Sequence, residues 1–408
     1  MPVKPPASPR VRPVYLPLAA LALSLLLTAW VSAAELRELR SRRYVVRTDL
    51  DADVAAPYVE HMDKLYDEFA RRFDAFRPRH TPRCDLLLFN KRADYTGHLG
   101  KLGFSGANTG GVFFMDGRSS AVATYLEGRP RSQTLGVLQH EGFHQFAALY
   151  FVNTLPIWIN EGLAEYFQDA LLVDGKFVLG IPESRRVRAL QRAIPKGEAV
   201  PFNAVLSVSP QQWSNAVASD PERAMLLYAQ SWSMVHFLIH GDNRRYEPLL
   251  VRYLKLLNDG QRSADAFRQV FGDASGFEAK WRRHVLGLSP DALAVAAERL
   301  AFLGDAIADL ASEGRGPLPT DWPTLKAALE RRGYTSRRVF SGVMTTHSVR
   351  DETAFTYPGA DGKELPFDPV PAVRGMPPGL TAPTLKPRPT LYWIKLKGGD
   401  LSPDVRYK

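Results

Sequence analysis

Cysteine is nearly missing from this chain: Cys84 is the only one in 408 residues. A lone thiol cannot close an intramolecular disulfide, and cysteine-rich metal sites are excluded with it. Its setting, "RCDLLLF", marks Cys84 as a small buried apolar residue rather than a nucleophile. Internal repeats are absent, and so is any stripe of interleaved basic and aromatic residues, so no nucleic-acid partner is expected. The surplus of 52 basic over 43 acidic residues, a net +9, is instead spread out in pairs such as Arg71-Arg72, Arg185-Arg186 and Arg331-Arg332. Such pairs are expected on solvated helix faces. With 45% hydrophobic and 23% charged residues the composition is that of a globular protein, and the length calls for two or three domains.

One long uncharged run is present. Lys4, Arg10 and Arg12 precede "PVYLPLAALALSLLLTAWVSAA" (residues 13–34), which ends in small residues. Basic, then apolar, then Ser32-x-Ala34 or Val31-x-Ala33 is the layout of a secretory signal peptide. The run is also long enough to span a bilayer, so a retained membrane anchor is the rival reading. Either places the remainder outside the cytoplasm, in the periplasm or the extracellular space. Residues 1–34 are therefore set apart as a targeting or anchoring segment.

Beyond it, residues 35–128 alternate between strand-like and helical runs. "YVVRT" and "CDLLLF" read as strands, and Val54, Tyr58, Met62, Leu65 and Phe69 recur at helical spacing. "GGVFFM" and "SAVATYL", joined by a turn at "DGRS", read as two further strands. Either "GGVFF" or "AVATYL" is a candidate edge for pairing with an extended peptide. Residues 129–290 turn helical, with helices expected at 132–151, 157–171, 184–193, 221–240, 243–257, 263–271 and 276–286. A helix and linker follow over 291–320. Residues 321–408 are a small proline-rich region with one more helix, turn signals and a strand-like "TLYWIKLK", and of unknown role. The class is α+β.

The stretch "LQHEGFHQF" (138–146) sets two imidazoles and a carboxylate in an apolar helix. At about 100° per residue, His144 lies ~40° from His140 and one turn along, with Glu141 at the edge of the same sector. Two ring nitrogens one turn apart can reach one zinc ion at ~2.0–2.1 Å, with Glu141 beside it as a base. Only about 0.01 such matches are expected by chance in a chain of this composition. A third ligand is at hand. Pro156 breaks the helix, a second one begins near Trp158, and two helices joined so closely pack as neighbours, which brings Glu161 within reach. Two histidines and a glutamate leave one tetrahedral position open, the pattern of a catalytic zinc site. Glu165, one turn beyond Glu161, is placed to accept the outer N–H of a ligating imidazole.

"HEGFH" followed by "PIWINEGLAEYF" resembles the gluzincin metallopeptidases, and within them the peptidase MA-like families of exported bacterial proteins. "YAQSWSMVHFL" (228–238) is similar to the helix that follows in those families. The resemblance, over roughly residues 85–285, implies a thermolysin-like catalytic domain: a small mixed sheet and a helical bundle. It also implies zinc on His140, His144 and Glu161, with Glu141 polarising the water. Tyr228 stands where the clan often supplies a tyrosine for the oxyanion, and His236 is the competing candidate. The aminopeptidase branch carries a glycine-alanine-methionine-glutamate-asparagine signature that binds the substrate's free amine. The corresponding "NTGGVFF" has no acidic residue, so an endopeptidase is expected rather than an aminopeptidase. The functional expectation is an exported zinc metallopeptidase acting on peptides or proteins. The alternatives are a non-catalytic scaffold on the same fold, or a zinc hydrolase of a non-peptide amide. The remaining histidines, His61, His80, His98, His240, His284 and His347, are expected on the surface or satisfied in the core, without a partner at ligand spacing.

Overall fold

A computed structural model describes residues 36–104, 109–116, 119–312, 317–340, 343–373, 376–395 and 401–408. The N-terminal segment 1–34 and the middle of the turn expected at "DGRS" lie outside the described residues. Leu36–Lys408 pack as one unit, and among the described residues no helix is long and apolar enough to cross a membrane.

Alternation of apolar and polar side chains builds the first sheet. β1 (Arg37–Arg40) pairs antiparallel with β2 (Tyr44–Thr48). Helix α1 (Ala52–Arg72) then crosses to β3 (Cys84–Phe89), parallel to β2. α2 (Arg92–Lys101) leads to β4 (Gly111–Asp116) and β5 (Ser119–Tyr125). β5 is inserted parallel beside β3, and the final order is β1-β2-β3-β5-β4. The "GGVFF" stretch is thus the sheet edge, whereas "AVATYL" is interior and cannot offer its backbone to a peptide. On α1, Tyr58, Met62, Leu65 and Phe69 are buried at successive turns, but Val54 in the first turn is 40% exposed, contrary to expectation.

The helical part runs through α3 (Arg131–Tyr150), α4 (Ile157–Gln168), a hairpin of β6 (Leu171–Val173) and β7 (Lys176–Val178), and α5 (Ser184–Ala193). It continues with α6 (Phe202–Ser207), α7 (Pro210–Ser219), α8 (Pro221–Arg244), α9 (Glu247–Asn258), α10 (Ser263–Phe271) and α11 (Ala274–Gly287). Residues 157–171 are therefore not one helix. The chain leaves α4 at Asp169 and turns at Asp174-Gly175, both at positive φ, as a tight hairpin requires. α3 lies under β4 and β5 and against α4, and α4 is sandwiched between α3 and α8. Phe69, Phe143, Phe146 and Phe167 interlock behind α3 and α4, with Phe143 stacked on Phe167 at 5.5 Å. Gly162 permits the α4–α8 approach: a Cβ there would stand 2.6 Å from the Ser231 carbonyl oxygen.

The C-terminal third has its own core. Leu300, Leu303 and Ile307 of α12 (Ala292–Ser312) pack with Leu325 and Leu329 of α13 (Trp322–Arg332) and with Tyr357, Leu380 and Leu391. α12, expected as a helix ahead of the linker, is the centre of this core. The tail around it is richer in strands than expected. β8 (Thr335–Phe340) pairs with β9 (Val343–Ser348), and β10 (Thr356–Pro358) with β11 (Glu364–Pro366). β12 (Asp368–Val370), β13 (Gly379–Thr381), β14 (Pro389–Lys395) and β15 (Leu401–Tyr407) form an antiparallel sheet. Its prolines sit where a missing N–H is tolerated: Pro369 and Pro403 on the edge strands β12 and β15, and Pro389 at the start of β14.

Candidate metal centre

α3 turns Phe143 and Phe146 into the core, which leaves His140 and His144 facing α4 and Glu141 facing β4. Across the α3–α4 contact, Oε2 of Glu161 is 3.4 Å from Nε2 of His140 and 3.4 Å from Nε2 of His144, and the two nitrogens are 3.1 Å apart. Ligands on a tetrahedral centre with bonds of ~2.0–2.1 Å stand about 3.3 Å from one another. The triangle therefore has the size a zinc ion demands. Its chemistry fits as well. Oε2 of Glu161 is buried without a hydrogen-bond donor, an arrangement that costs free energy unless a cation completes it. Burial would raise the Glu161 carboxyl, but the two imidazoles pull it down to about 2. Burial would likewise lower His140, but contact with Glu161 and the fields of Glu141 and Glu165 lift it to about 9. The cluster thus draws in positive charge.

The outer nitrogens are tied as well. Nδ1 of His144 meets Oδ1 of Asn160 at 3.3 Å, a partner that sequence reasoning missed although Asn160 directly precedes Glu161. Nδ1 of His140, otherwise without a partner, is 3.5 Å from Oε1 of Glu165. The other oxygen of Glu165 accepts from Arg186 of α5 at 2.5 Å, and Arg186 also pairs with Asp169. Arg186 is only 5% exposed, which corrects the expectation that the Arg185-Arg186 pair lies on a solvated face. It is spaced i, i+4, i+7 with Leu190 and Ala193, both buried, and that period was the available signal. The position of α3 beside α4 is fixed by buried Gln139. Its amide donates to the carbonyls of Phe167, Gln168 and Ala170 and accepts from His61 at 2.7 Å.

Glu141 projects towards the edge strand, where one oxygen accepts the Phe113 N–H at 2.8 Å. With His140, Thr109, Gly110, Gly111, Val137 and Gln168 it lines a cavity of about 240 Å³. Tyr228, in the first half of α8, is half-buried edge-on to Trp213. Burial, with the nearby charges of Glu161, Glu165 and Glu141, raises its pKa, so the phenol keeps its proton. His236 is placed elsewhere. Its Nδ1 meets His284 at 3.1 Å and its Nε2 the Gly180 carbonyl at 3.3 Å, and burial holds it neutral with a pKa of about 3. It stacks on His240, which bonds Tyr166 at 2.8 Å. His236, His240 and His284 thus form a cluster of their own, with His236 buried and the other two half-buried, and the hydrogen bonds of His240 and His284 agree with the expectation of satisfied residues. Two more are tied as well, His347 to Glu298 at 3.2 Å and His61 to Gln139. Cys84 is buried, and burial pushes its thiol up to about 12.

No curated protein matches the chain. Residues 99–287, the stretch that carries α3, α4 and α8, match the model of the Peptidase MA superfamily, and this match supports placing the chain in a MA-clan, metallopeptidase-like family.

Proposed function

We propose that this chain is an exported zinc-dependent metallopeptidase that cleaves within peptides or proteins. The observation that carries the reading is the triangle of His140, His144 and Glu161 at ligand spacing, with Glu141 lining a cavity together with His140. A zinc ion held there would act as a Lewis acid and bring the pKa of water down to ~7. The chain's own residues supply the rest. Glu141, anchored through one oxygen by the Phe113 N–H, takes the proton of the attacking water with its other oxygen and passes it to the leaving amine. The Tyr228 hydroxyl, kept protonated, donates to the developing oxyanion. Glu141 is the one carboxylate among the described residues that line the cavity, and with no acidic residue in "NTGGVFF" this favours endopeptidase over aminopeptidase action. The basic-then-apolar segment at residues 1–34 supports export, with a retained membrane anchor as its alternative.

The test is Glu141→Gln in the purified protein, assayed with a peptide library and by metal analysis. The variant should keep about one zinc per chain and lose about 10²–10⁴ of the hydrolysis rate. A wild-type protein that binds zinc and cleaves nothing would favour the scaffold reading. Cleavage confined to non-peptide amides would favour the other hydrolase.

A further inference from the structure

Helix α5 touches both halves of the molecule. Its inner face carries Arg186, whose side chain is 6% exposed, against Glu165 of α4 and Asp169 at that helix's C-terminal cap, with the ring of Trp232 at 5.8 Å. The neighbouring residues Ser184 and Arg188 reach the C-terminal unit. Ser184 donates its hydroxyl to Glu298 of α12, Arg188 pairs with the same carboxylate at 3.6 Å, and His347 of β9 meets it at 3.2 Å. α5 also packs on β8 and β9. Glu298 thus gathers partners from both halves, and within two residues of its anchor points α5 presents the guanidinium that holds Glu165.

We propose that the C-terminal unit braces the metal centre through α5: Glu298 fixes the helix, and Arg186 on it holds the Glu165 carboxylate against Nδ1 of His140. Arg186 is then a positioning residue, and the C-terminal part from residue 292 on has a role in the site although none of its described residues lines the cavity beside it. The physical reason lies in the carboxylates. Glu165 and Asp169 are one helical turn apart, so without the guanidinium between them they repel. Glu165 would then leave His140, whose ring orientation and tautomer depend on an outer acceptor. Arginine suits the place because its planar fork serves both carboxylates at once, which a lysine ammonium does less well.

This inference rests on the metal-site reading, and the experiment separates the two. Zinc affinity of the full-length chain is measured by chelator competition, and the visible spectrum of the cobalt-loaded protein reports ligand geometry. Arg186→Gln should weaken zinc binding about 10- to 100-fold and alter the cobalt spectrum, and Arg186→Lys should restore part of both. Glu298→Gln, remote from the metal, should shift both readouts in the same direction by less. A folded Arg186→Gln protein with wild-type affinity and spectrum overturns the role of Arg186. A Glu298→Gln protein with wild-type values overturns the brace. Should Arg186→Gln fail to fold, Arg186→Lys and Glu298→Gln decide, and wild-type values in both refute the proposal. A wild-type chain that binds no metal refutes the metal-site reading itself.

Discussion

Gly162 offers a sharp test of how the site is held. It lies in the middle of α4, one residue after Glu161, where an added Cβ would stand 2.6 Å from the Ser231 carbonyl oxygen and 2.8 Å from Cγ2 of Val235. The Ser231 contact is backbone of α8, so it cannot rotate away, and the helices must part by about 0.5–1 Å to restore van der Waals distance. Alanine in a helix interior gains up to ~1 kcal/mol over glycine, whereas overpacking costs about 1–3 kcal/mol. Gly162→Ala should therefore destabilise the protein by about 1 kcal/mol. It should weaken metal binding more noticeably, because a zinc site tolerates only ~0.2 Å in its ligand distances. Gly97, in α2, has nothing within 4 Å of its added Cβ, so Gly97→Ala should stabilise by up to ~1 kcal/mol with metal affinity unchanged. Denaturant midpoints and chelator competition on both variants read this out. A Gly162→Ala protein that gains stability like Gly97→Ala and keeps its metal affinity would refute the packing argument.

Two further outcomes follow from the buried titratable groups. Burial, opposed by its bond to Gln139, lowers His61 from 6.5 to about 4, so the folded protein binds this proton less readily than the unfolded chain. The stability it contributes is fully present above pH 6.5 and is lost as pH falls from 6.5 through 4, by up to about 3 kcal/mol. His61→Gln, which can still donate to Gln139, should flatten the acid limb of stability against pH, and an unchanged limb would refute the assignment. Tyr228→Phe should cut kcat by about 10²–10³ with metal content unchanged, and an undiminished kcat would remove Tyr228 from the mechanism.

Much of the fold was legible wherever one element carries its own signal. The strands Tyr44–Thr48 and Cys84–Phe89 and the helices Ser184–Ala193 and Ser263–Phe271 match the periodicity of their apolar residues. The geometry of His140, Glu141 and His144 follows from 3.6 residues per turn, and the proximity of Glu161 from the short α3–α4 connection. What escaped was set by distant partners. Arg186 looks solvated until Glu165 from another helix and Asp169 at that helix's C-terminal cap bury it, and His284 acquires a partner only because α11 packs on α8. The hairpin β6–β7 was hidden because Leu171–Val173 continues the apolar run of α4, although Asp174-Gly175 marked the turn. In the C-terminal third, strands of three residues such as β10 to β13 are too short for a period of two to show, and the prolines that argue against strands sit on edges and at starts.

The central claim is that His140, His144 and Glu161 hold a single divalent cation. Zinc K-edge X-ray absorption on protein loaded with one equivalent of zinc tests it most directly. The account predicts two imidazole nitrogens at ~2.0–2.1 Å and a carboxylate oxygen at ~2.0–2.2 Å, with one nitrogen lost in His140→Ala. A spectrum without imidazole scattering, or one unchanged in that variant, would contradict it.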